Sequence, residues 1–287
     1  MKIIDAHIHF SNIESFKQTA RDLSLLDYSK AGFVKQFREA NVIAAVGMGL
    51  TEQAPDGFPD QTSPNPMLLD LDEMPGRMVL CPGINPLKLQ SAAEEELKRL
   101  EAVLSAPNTV GIKIYAGYYP FYVHDEVYEP IYRLAEDYSL AIVIHGGATY
   151  SDRCCLKYSH PLEVDQLAVR HRHLNFIIAH FGDPWVMDTA VVVSKNENVY
   201  ADLSGLIVGD EQKIWKNRTN RLMLDHFKQA LDYAERYDKF LFGSDWPLAP
   251  LMPYIEFVRD LIPEEYQEEV FYHNALQAFP KLKNFIG

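Results

Sequence analysis

Short apolar runs rich in β-branched residues recur along the chain and alternate with stretches of helical periodicity. A bounded apolar run predicts a buried strand, whereas apolar residues three and four positions apart predict a helix. Eight runs predict strands, at residues 3–9, 42–48, 78–84, 110–115, 141–145, 175–180, 199–203 and 240–245. The helical stretches between them include residues 33–40, 91–104, 126–138, 162–171 and 222–237.

This alternation predicts the fold class, because strands separated by helices pair in parallel through crossover connections. Eight such units within about 250 residues match the size of a closed (β/α)₈ barrel. We therefore predict an α/β fold with a single (β/α)8 TIM-type barrel, and a doubly wound open sheet is the alternative. No stretch has the composition of a linker, so residues 1–287 are predicted to form one domain.

Two segments interrupt the helical pattern. Residues 49–76 follow the second strand and are rich in Pro, Gly, Asp and Asn, and residues 205–220 follow the seventh strand and are polar. In a barrel both would be loop insertions at the C-terminal face. Long irregular segments are often lids or binding loops, and plain surface decoration is the alternative.

Composition narrows the class of protein. The 287 residues are 47% hydrophobic, which is enough for a sizeable core, and the net charge of −13 disfavours binding to nucleic acid. The three cysteines form no paired pattern, which is typical of a reducing compartment. There is no apolar run of membrane-spanning length, and the chain opens on a strand rather than a signal peptide. We expect a cytoplasmic protein that acts on a small molecule.

The strand ends carry the residues that suggest chemistry. His7 and His9 end the first run, and because side chains alternate along a strand, they project from the same face. Such a pair alone is more often a hydrogen-bonded core feature than a metal site. Four further candidates belong to other strands: Lys113 to the fourth, His145 to the fifth, His180 to the sixth and Asp245 to the eighth.

Barrel closure would bring these residues into one mouth. The eighth strand would lie beside the first, so Asp245 would stand next to His7 and His9, and His145 would face them from across the barrel. Three neutral imidazoles and a carboxylate suit Zn²⁺ or a similar divalent metal. Burying this cluster without a cation would be costly, so we predict a metal site made of His7, His9, His145 and Asp245.

The ordered motifs also resemble those of a known family. They are Asp5-Ala-His7-Ile-His9, Gly111-Ile-Lys113, Ile144-His145, Ala179-His180-Phe-Gly182 and Gly243-Ser-Asp245-Trp-Pro247. This set resembles the amidohydrolase superfamily, and in particular the branch that includes aminocarboxymuconate-semialdehyde decarboxylase. Asn274-Ala275 in a C-terminal helix is also similar to that branch. The resemblance runs from the first strand almost to the C-terminus.

The resemblance implies a role for each residue. The four predicted ligands would hold one divalent metal, and His180 would act as an acid or base on the metal's water or on the substrate. Asp245 could take the water's proton as general base. In binuclear members a lysine at the position of Lys113 is carbamylated and bridges two metals. The flanking motifs favour one metal, in which case Lys113 would be a cation able to meet a substrate carboxylate, or would point away.

Other residues are candidates for binding substrate. Tyr115 follows Lys113, Trp246 follows Asp245, and Arg153 lies in the loop after His145, where it could meet an anion. For the two aromatic residues ordinary packing is the alternative, and for Arg153 a solvated charge is the alternative. Asp5 could orient a histidine or serve only the core.

Three functions are compatible with these residues. The first is a metal-dependent hydrolase of an amide, a lactone or a related small carbonyl compound, with Zn²⁺ as the expected ion. The second is a metal-dependent non-oxidative decarboxylase, a lyase, on the same scaffold. The third is a non-catalytic metal-binding protein. A homodimer is common for such barrels, and the substrate cannot be read from the sequence.

Overall fold

The strands of this protein are parallel and follow one another around the fold. In the computed structural model, which describes residues 1–52, 57–58 and 60–286, every strand pair is parallel. The strands are β1 (Ile3–Ile8), β2 (Val42–Met48), β3 (Met78–Cys81), β4 (Gly83–Ile84), β5 (Gly111–Ile114), β6 (Ala141–Ile144), β7 (Phe176–Ile178), β8 (Val199–Asp202) and β9 (Phe240–Leu241). Each of the eight predicted runs contains one strand, except the third, which contains both β3 and β4.

A proline divides the third run. Pro82 lies between β3 and β4, and it has no N–H to donate to a neighbouring strand. Its carbonyl still accepts a hydrogen bond of 2.8 Å from Lys113 N, and Val110 N donates to Leu80 O at 3.0 Å. These bonds join the three-stranded sheet β1-β2-β3 to the six-stranded sheet β4 to β9.

The other end of the series returns to β1. Asp245 N donates to His7 O at 2.9 Å, and His9 N donates to Trp246 O at 2.7 Å. A parallel bridge also joins Ile8 to Trp246. The strand order therefore closes on itself as the predicted barrel requires, and residues 242–246 lie beside the end of β1.

Eleven helices connect and cover the strands of the described residues. They are α1 (Glu14–Asp22), α2 (Lys30–Glu39), α3 (Pro86–Leu104), α4 (Glu129–Asp137), α5 (Glu163–Arg170), α6 (Val186–Lys195), α7 (Glu211–Arg218), α8 (Arg221–Ala234), α9 (Leu251–Leu261), α10 (Asn274–Ala278) and α11 (Leu282–Ile286). Among the described residues, no helix is long and apolar enough to cross a membrane.

The two segments predicted to be irregular differ in outcome. The described part of residues 49–76 forms no helix, and it is fixed beside β4 by a bridge between Met67 and Gly83 and by a hydrogen bond from Asn85 Nδ2 to Ser63 O. Residues 205–220, by contrast, contain α7. Its first turn is capped by Asp210, whose side chain accepts from Lys213 N.

Alternate strand residues divide between two apolar clusters. One cluster contains Ile4, Val46, Val79, Val143, Ile177 and Leu241 together with Phe279 and Leu282 of the C-terminal segment. The other joins strand residues of the opposite parity, such as Ile112 and Ile142, to the surrounding helices. This is the two-layer packing expected for parallel strands covered by helices.

The alternation is interrupted in β1. Asp5 pairs with Ala45, but Ile8 pairs with Gly47, so β1 advances by three residues where β2 advances by two. The extra residue is a β-bulge beside His7, and bulges re-aim side chains next to functional sites. Strict alternation along β1 would place Asp5 on the same face as His7 and His9, and the bulge breaks that alternation.

Candidate metal centre

Polar side chains from several strands converge at the carboxyl ends of the barrel strands. They are His7 in β1, His9 just after it, Lys113 in β5, His145 directly after β6, His180 after β7, Asp202 at the end of β8, and Asp245 after β9. The carboxyl ends of parallel strands meet at one face of a barrel, which is where barrel enzymes carry their active sites. The fold therefore brings together the residues that the sequence could only list in order.

The tightest group consists of His7, His9 and Asp245. Asp245 Oδ1 lies 3.8 Å from His7 Nε2 and 3.5 Å from His9 Nε2. The ligand atoms of the three residues lie within 4.8 Å of one another. Asp245 Oδ1 is buried and has no hydrogen-bond partner among the described residues. A buried carboxylate oxygen without a partner is costly, and a cation placed among these atoms would remove that cost.

The protonation states of His7 and His9 also favour a bound cation. Burial, together with the positive charge of Lys113, lowers the pKa of His7 well below its ordinary value. Burial, followed by the repulsion of His7 and Lys113, does the same for His9. Both rings are therefore neutral near pH 7, which is the form that binds metal. Burial also raises the pKa of Asp245 to about 7, although Lys113 opposes the shift.

His145 stands at the side of this group. Its ring centroid is 5.0 Å from that of His180, and its Nε2 lies 3.2 Å from Ala148 O. Burial and the neighbouring His180 lower the pKa of His145 well below its ordinary value. In the part of the chain that the structure describes, two groups of ligand atoms converge within 4.8 Å, and His145 belongs to neither. They are His7, His9, Asp245 and His7, His180, Asp202. Its role as a fourth ligand stays a prediction.

His180 and Asp245 adopt an uncommon backbone conformation. His180 has φ 59° and ψ 26°, and Asp245 has φ 57°, which is the left-handed region that residues with a Cβ seldom occupy. Such residues persist where the surroundings hold them, often at functional sites. The conformation brings His180 Nδ1 to 3.9 Å from Asp245 Oδ2. Burial lowers the pKa of His180 to about 3.

Lys113 points into the cluster. It is buried, and its Nζ lies 3.5 Å from His7 Nε2 and 5.5 Å from the centre of the Tyr115 ring. Burial lowers its pKa to about 8, although the carboxylates of Asp202 and Asp245 act in the opposite direction. Lys113 thus faces inward, as either a bridging lysine or a substrate-binding cation would, and does not point away from the site.

Asp202 is the member of the site that sequence reasoning missed. It is fully buried, and its Oδ2 lies 2.8 Å from His7 Nδ1. Its Oδ1 accepts from His180 N at 3.0 Å and from the backbone and hydroxyl of Ser204. The available signal was a carboxylate at the end of the seventh predicted strand, in the position where the other strands carry site residues.

Two of the three predicted substrate-binding residues contact segment 49–76. The hydroxyl of the buried Tyr115 donates to Gly49 O at 2.8 Å. Arg153 is exposed, and its guanidinium donates to Phe58 O at 2.9 Å. The Phe58 ring also packs against Tyr115, with centroids 5.0 Å apart. Both residues therefore contact the described part of this segment, and Arg153 already has an acceptor.

Trp246, the third, packs elsewhere. It is completely buried, and its ring lies 4.9 Å from Tyr28 and 5.4 Å from Phe10. It also makes edge contacts with Phe33 and Phe37 of α2. These aromatic neighbours show that Trp246 packs in the core between β1 and α2, which was the alternative to the predicted pocket wall.

Asp5 stabilises the seam between β1 and the last strand. Its carboxylate accepts from Ser244 N at 3.0 Å and from Ser244 Oγ at 2.6 Å, and it also accepts from His7 N. Burial raises the pKa of Asp5 to about 7, while the bonds from Ser244 act against that shift. Asp5 thus fixes the backbone on both sides of the metal-binding group.

The chain as a whole matches a known protein family. A family model described as Amidohydrolase matches residues 4–281. No curated protein matches the chain. An uncharacterized TIM-barrel protein from Bordetella bronchiseptica is similar in structure, with a TM-score of 0.64 and 16% identity, over 99% of this chain and 100% of that one.

Two enzymes of different reaction type share the same architecture. A probable 2-pyrone-4,6-dicarboxylic acid hydrolase from Acinetobacter baumannii has a TM-score of 0.58 and 17% identity, over 98% of this chain and 100% of its own. A dihydroxybenzoic acid decarboxylase from Polaromonas sp. JS666, with bound manganese and an inhibitor, has a TM-score of 0.63 and 14% identity, over 97% of each chain. At this identity the likeness shows the fold.

Proposed function

This chain belongs to the amidohydrolase family, and we propose that it is a metal-dependent hydrolase of a small carbonyl compound such as an amide or a lactone. The observation that carries the proposal is the buried Asp245 Oδ1, which has no hydrogen-bond partner within the described ranges and faces the Nε2 atoms of His7 and His9. A carboxylate in this position can bind a cation and can also accept a proton from an attacking water.

We propose one Zn²⁺ ion per chain, held by His7, His9 and Asp245, with His145 as the fourth ligand. Neutral imidazoles and a carboxylate are ligands that zinc accepts, although manganese and other divalent ions share them. When bound, the ion supplies Lewis acidity, which polarises a carbonyl oxygen and lowers the pKa of water.

The protein's own side chains supply the remaining chemistry. Asp245, buried beside His7 and His9, is placed to accept a proton from the attacking water and to return it. His180, 3.9 Å from Asp245, is neutral because burial lowers its pKa to about 3, so its ring can take up a proton during the reaction and pass it to the leaving group. Lys113 adds a buried positive charge where a substrate carboxylate or oxyanion would lie. The low exposure of these residues keeps bulk water from the reacting atoms.

A specific observation favours decarboxylation as the second candidate. Lys113 is a buried cation 3.5 Å from His7, and rings cover the histidines: Phe16 stacks on His9, and Tyr118 meets His145 edge-on at 4.9 Å. A cation beside aromatic walls suits a planar carboxylated substrate. In that reaction the site would orient the carboxylate rather than activate water.

Isotope labelling separates the two reactions. Zinc-loaded protein would be incubated in ¹⁸O-water with amides, lactones and carboxylated aromatics, while CO₂ release is followed. Hydrolysis introduces labelled oxygen into the organic product. Release of CO₂ together with an organic product that carries no label supports decarboxylation. We expect Asp245→Asn to lower kcat by about 10²- to 10⁴-fold. The surface variant Asp165→Asn is the control, and full activity of Asp245→Asn would refute its role as the base.

We further propose that residues 1–287 act as one domain in the cytoplasm, as a monomer or a homodimer. Support for a reducing compartment comes from Cys81, Cys154 and Cys155, which are all free thiols.

A further inference from the structure

The two oxygens of Asp202 have unequal numbers of partners. Among the residues that the structure describes, Oδ2 has one hydrogen-bond partner, His7 Nδ1 at 2.8 Å. Oδ1 has three, with His180 N at 3.0 Å, Ser204 N at 3.1 Å and Ser204 Oγ. Two of these partners are backbone N–H groups and can only donate. A single buried carboxylate therefore contacts two site histidines through opposite oxygens.

This arrangement determines where the protons of the two histidines lie. A carboxylate only accepts hydrogen bonds, so the ring nitrogen of His7 that faces Oδ2 must carry the proton. Ser204 has one hydroxyl proton, which it donates to Asp202, so its oxygen is left to accept from His180 Nδ1, 2.9 Å away. The carbonyl of Ser204, 3.3 Å from the same nitrogen, is a second acceptor. Both neutral rings then carry their proton on Nδ1.

We propose that Asp202 is a positioning residue that holds His7 and His180 in the Nδ1–H tautomer. For His7 this leaves a lone pair on Nε2, which lies 3.8 Å from Asp245 Oδ1 and 3.5 Å from the donor Lys113 Nζ and is available to bind a metal. For His180 it leaves Nε2 free to exchange a proton with a ligand. The metal-binding consequence rests on the proposed function, whereas the tautomer assignment rests only on the contacts of Asp202.

The unequal contacts predict different effects of one isosteric change. In Asp202→Asn the amide oxygen should occupy the Oδ1 position, because three donors point there, and the NH₂ group should then face His7 Nδ1. That nitrogen must become the acceptor, so the His7 proton moves to Nε2 and blocks the lone pair needed for a metal. His180 should keep its tautomer, because its link runs through Ser204 on the other side.

Nitrogen NMR of metal-free protein tests the assignment directly. Histidines labelled with ¹⁵N report which ring nitrogen carries the proton, and the signals of His7 and His180 would be assigned from His7→Gln and His180→Gln. We expect Nδ1–H for both in the wild type, and in Asp202→Asn we expect Nε2–H for His7 alone. An Nε2–H tautomer of His7 in the wild type, or an unchanged His7 in Asp202→Asn, would overturn the proposal.

Two further variants separate positioning from general structural damage. Ser204→Ala removes the hydroxyl that links Asp202 to His180, so the His180 tautomer should become mixed while His7 stays unchanged. Asp5→Asn alters another buried carboxylate of the site, one that touches no histidine ring, so neither tautomer should change. If Asp5→Asn switches the His7 tautomer as Asp202→Asn does, the effect is one of charge or folding and the proposal fails.

Zinc affinity, measured by competition with a chromogenic chelator, gives the second readout. Outer contacts to a ligating histidine are typically worth about 10- to 100-fold in metal affinity, and we expect a loss of this size in Asp202→Asn but not in the surface variant Asp165→Asn. Undiminished zinc affinity in an Asp202→Asn protein whose His7 tautomer has switched would overturn the link to metal binding. A wild type that binds no zinc but shows both Nδ1–H tautomers would refute the proposed function and support the assignment.

Discussion

At the scale of single residues, the site depends on a close approach of backbone to side chains. Gly205 has φ +66°, and a Cβ added there would lie 2.8 Å from both Asp245 Oδ2 and His180 Nδ1. The position needs glycine for its conformation and for its space. The backbone at Gly205 therefore packs directly against Asp245, the candidate base, and His180, the candidate acid.

We predict that Gly205→Ala weakens zinc binding and also destabilises the fold. The left-handed conformation alone should cost about 1–2 kcal/mol, and the added methyl must displace Asp245 or His180. Thermal unfolding and a zinc competition titration would measure the two effects. Gly209→Ala is the control, since Gly209 also has positive φ but its added Cβ would meet the flexible Lys213 side chain. A Gly205→Ala protein that binds zinc like the Gly209→Ala protein would contradict the prediction.

Lys113 allows the number of metal ions to be tested. If Lys113 acts as a cation, Lys113→Met should keep one zinc per chain, because no ligand is lost. Replacing a buried charge by an apolar side chain is often neutral or stabilising, so the melting temperature should hold or rise, while kcat should fall by about 100-fold. Elemental analysis and calorimetry would measure these outcomes.

The control for that substitution is Lys239→Met. Lys239 is also buried, but it lies over the Tyr200 ring and donates to Glu197 O, away from the cluster. Neither zinc content nor kcat should change. Two zinc ions per chain in the wild type, reduced to one in Lys113→Met, would instead identify Lys113 as a bridging ligand.

A site residue could be predicted from the sequence where it lies at the end of a predicted strand. His7, His9 and Asp245 were predicted together, and the structure places their ligand atoms within 4.8 Å. Asp202 was missed because its role comes from a contact with a residue 195 positions away. Trp246 was assigned to a pocket because sequence position does not reveal which side of a strand end a ring packs on.

At the scale of secondary structure, helices α5 and α6 are joined by a polar contact. Asp165 of α5 accepts from Lys195 Nζ at 2.6 Å and from Asn196 Nδ2 at 2.7 Å. Burial raises the pKa of Asp165, but these hydrogen bonds outweigh burial and bring the pKa below its ordinary value. The ionised form is therefore bound more tightly in the folded state than in the unfolded state.

We predict that Asp165→Asn lowers the free energy of unfolding by about 0.5 kcal/mol near pH 7, the size expected for a partly exposed pair. Because the folded-state pKa lies below the unfolded value of about 4, the stabilisation is complete above pH 4 and is lost as pH falls through the folded-state pKa. Urea unfolding at several pH values would measure this. A difference that grows at low pH would contradict the assignment, and a double-mutant cycle with Lys195→Met would isolate the pair.

The strands were easier to predict than the helices. Every predicted strand run contains a strand because strands buried on both faces need continuous apolar residues. Helix α7 was missed inside a polar segment, since it buries only Ile214 and its sequence carries little apolar periodicity. Its start is instead fixed by the Asp210 cap, a local signal that a search for apolar patterns does not register.

At the scale of the whole molecule, the strand pairing that closes the barrel also assembles the site. The residues after β9 pair with the end of β1, and this pairing sets Asp245 beside His7. The buried polar contact across the seam is that of Asp5 with Ser244. Closure was predictable from the number of strands, whereas the contact was not, because the bulge in β1 has no mark in the sequence.

Ser244→Ala tests how much this seam contributes. The substitution removes the 2.6 Å bond to Asp5 Oδ2 and the oxygen that accepts from Trp246 N at 3.1 Å, so two buried groups lose a partner. Leaving buried groups unsatisfied costs about 1–3 kcal/mol each, and more when one is charged, so we expect a loss of about 3 kcal/mol in the free energy of unfolding by urea.

Ser24→Ala is the matched control, because the buried Ser24 hydroxyl also makes a 2.6 Å bond, to Pro247 O, but leaves only a neutral carbonyl behind. That substitution should cost about 1 kcal/mol. Zinc affinity should fall with Ser244→Ala, since the seam positions Asp245 against His7, and should be unchanged with Ser24→Ala. Equal stability losses in the two variants would show that the seam contributes no more than an ordinary hydrogen bond, and that closure is driven by the apolar packing around it.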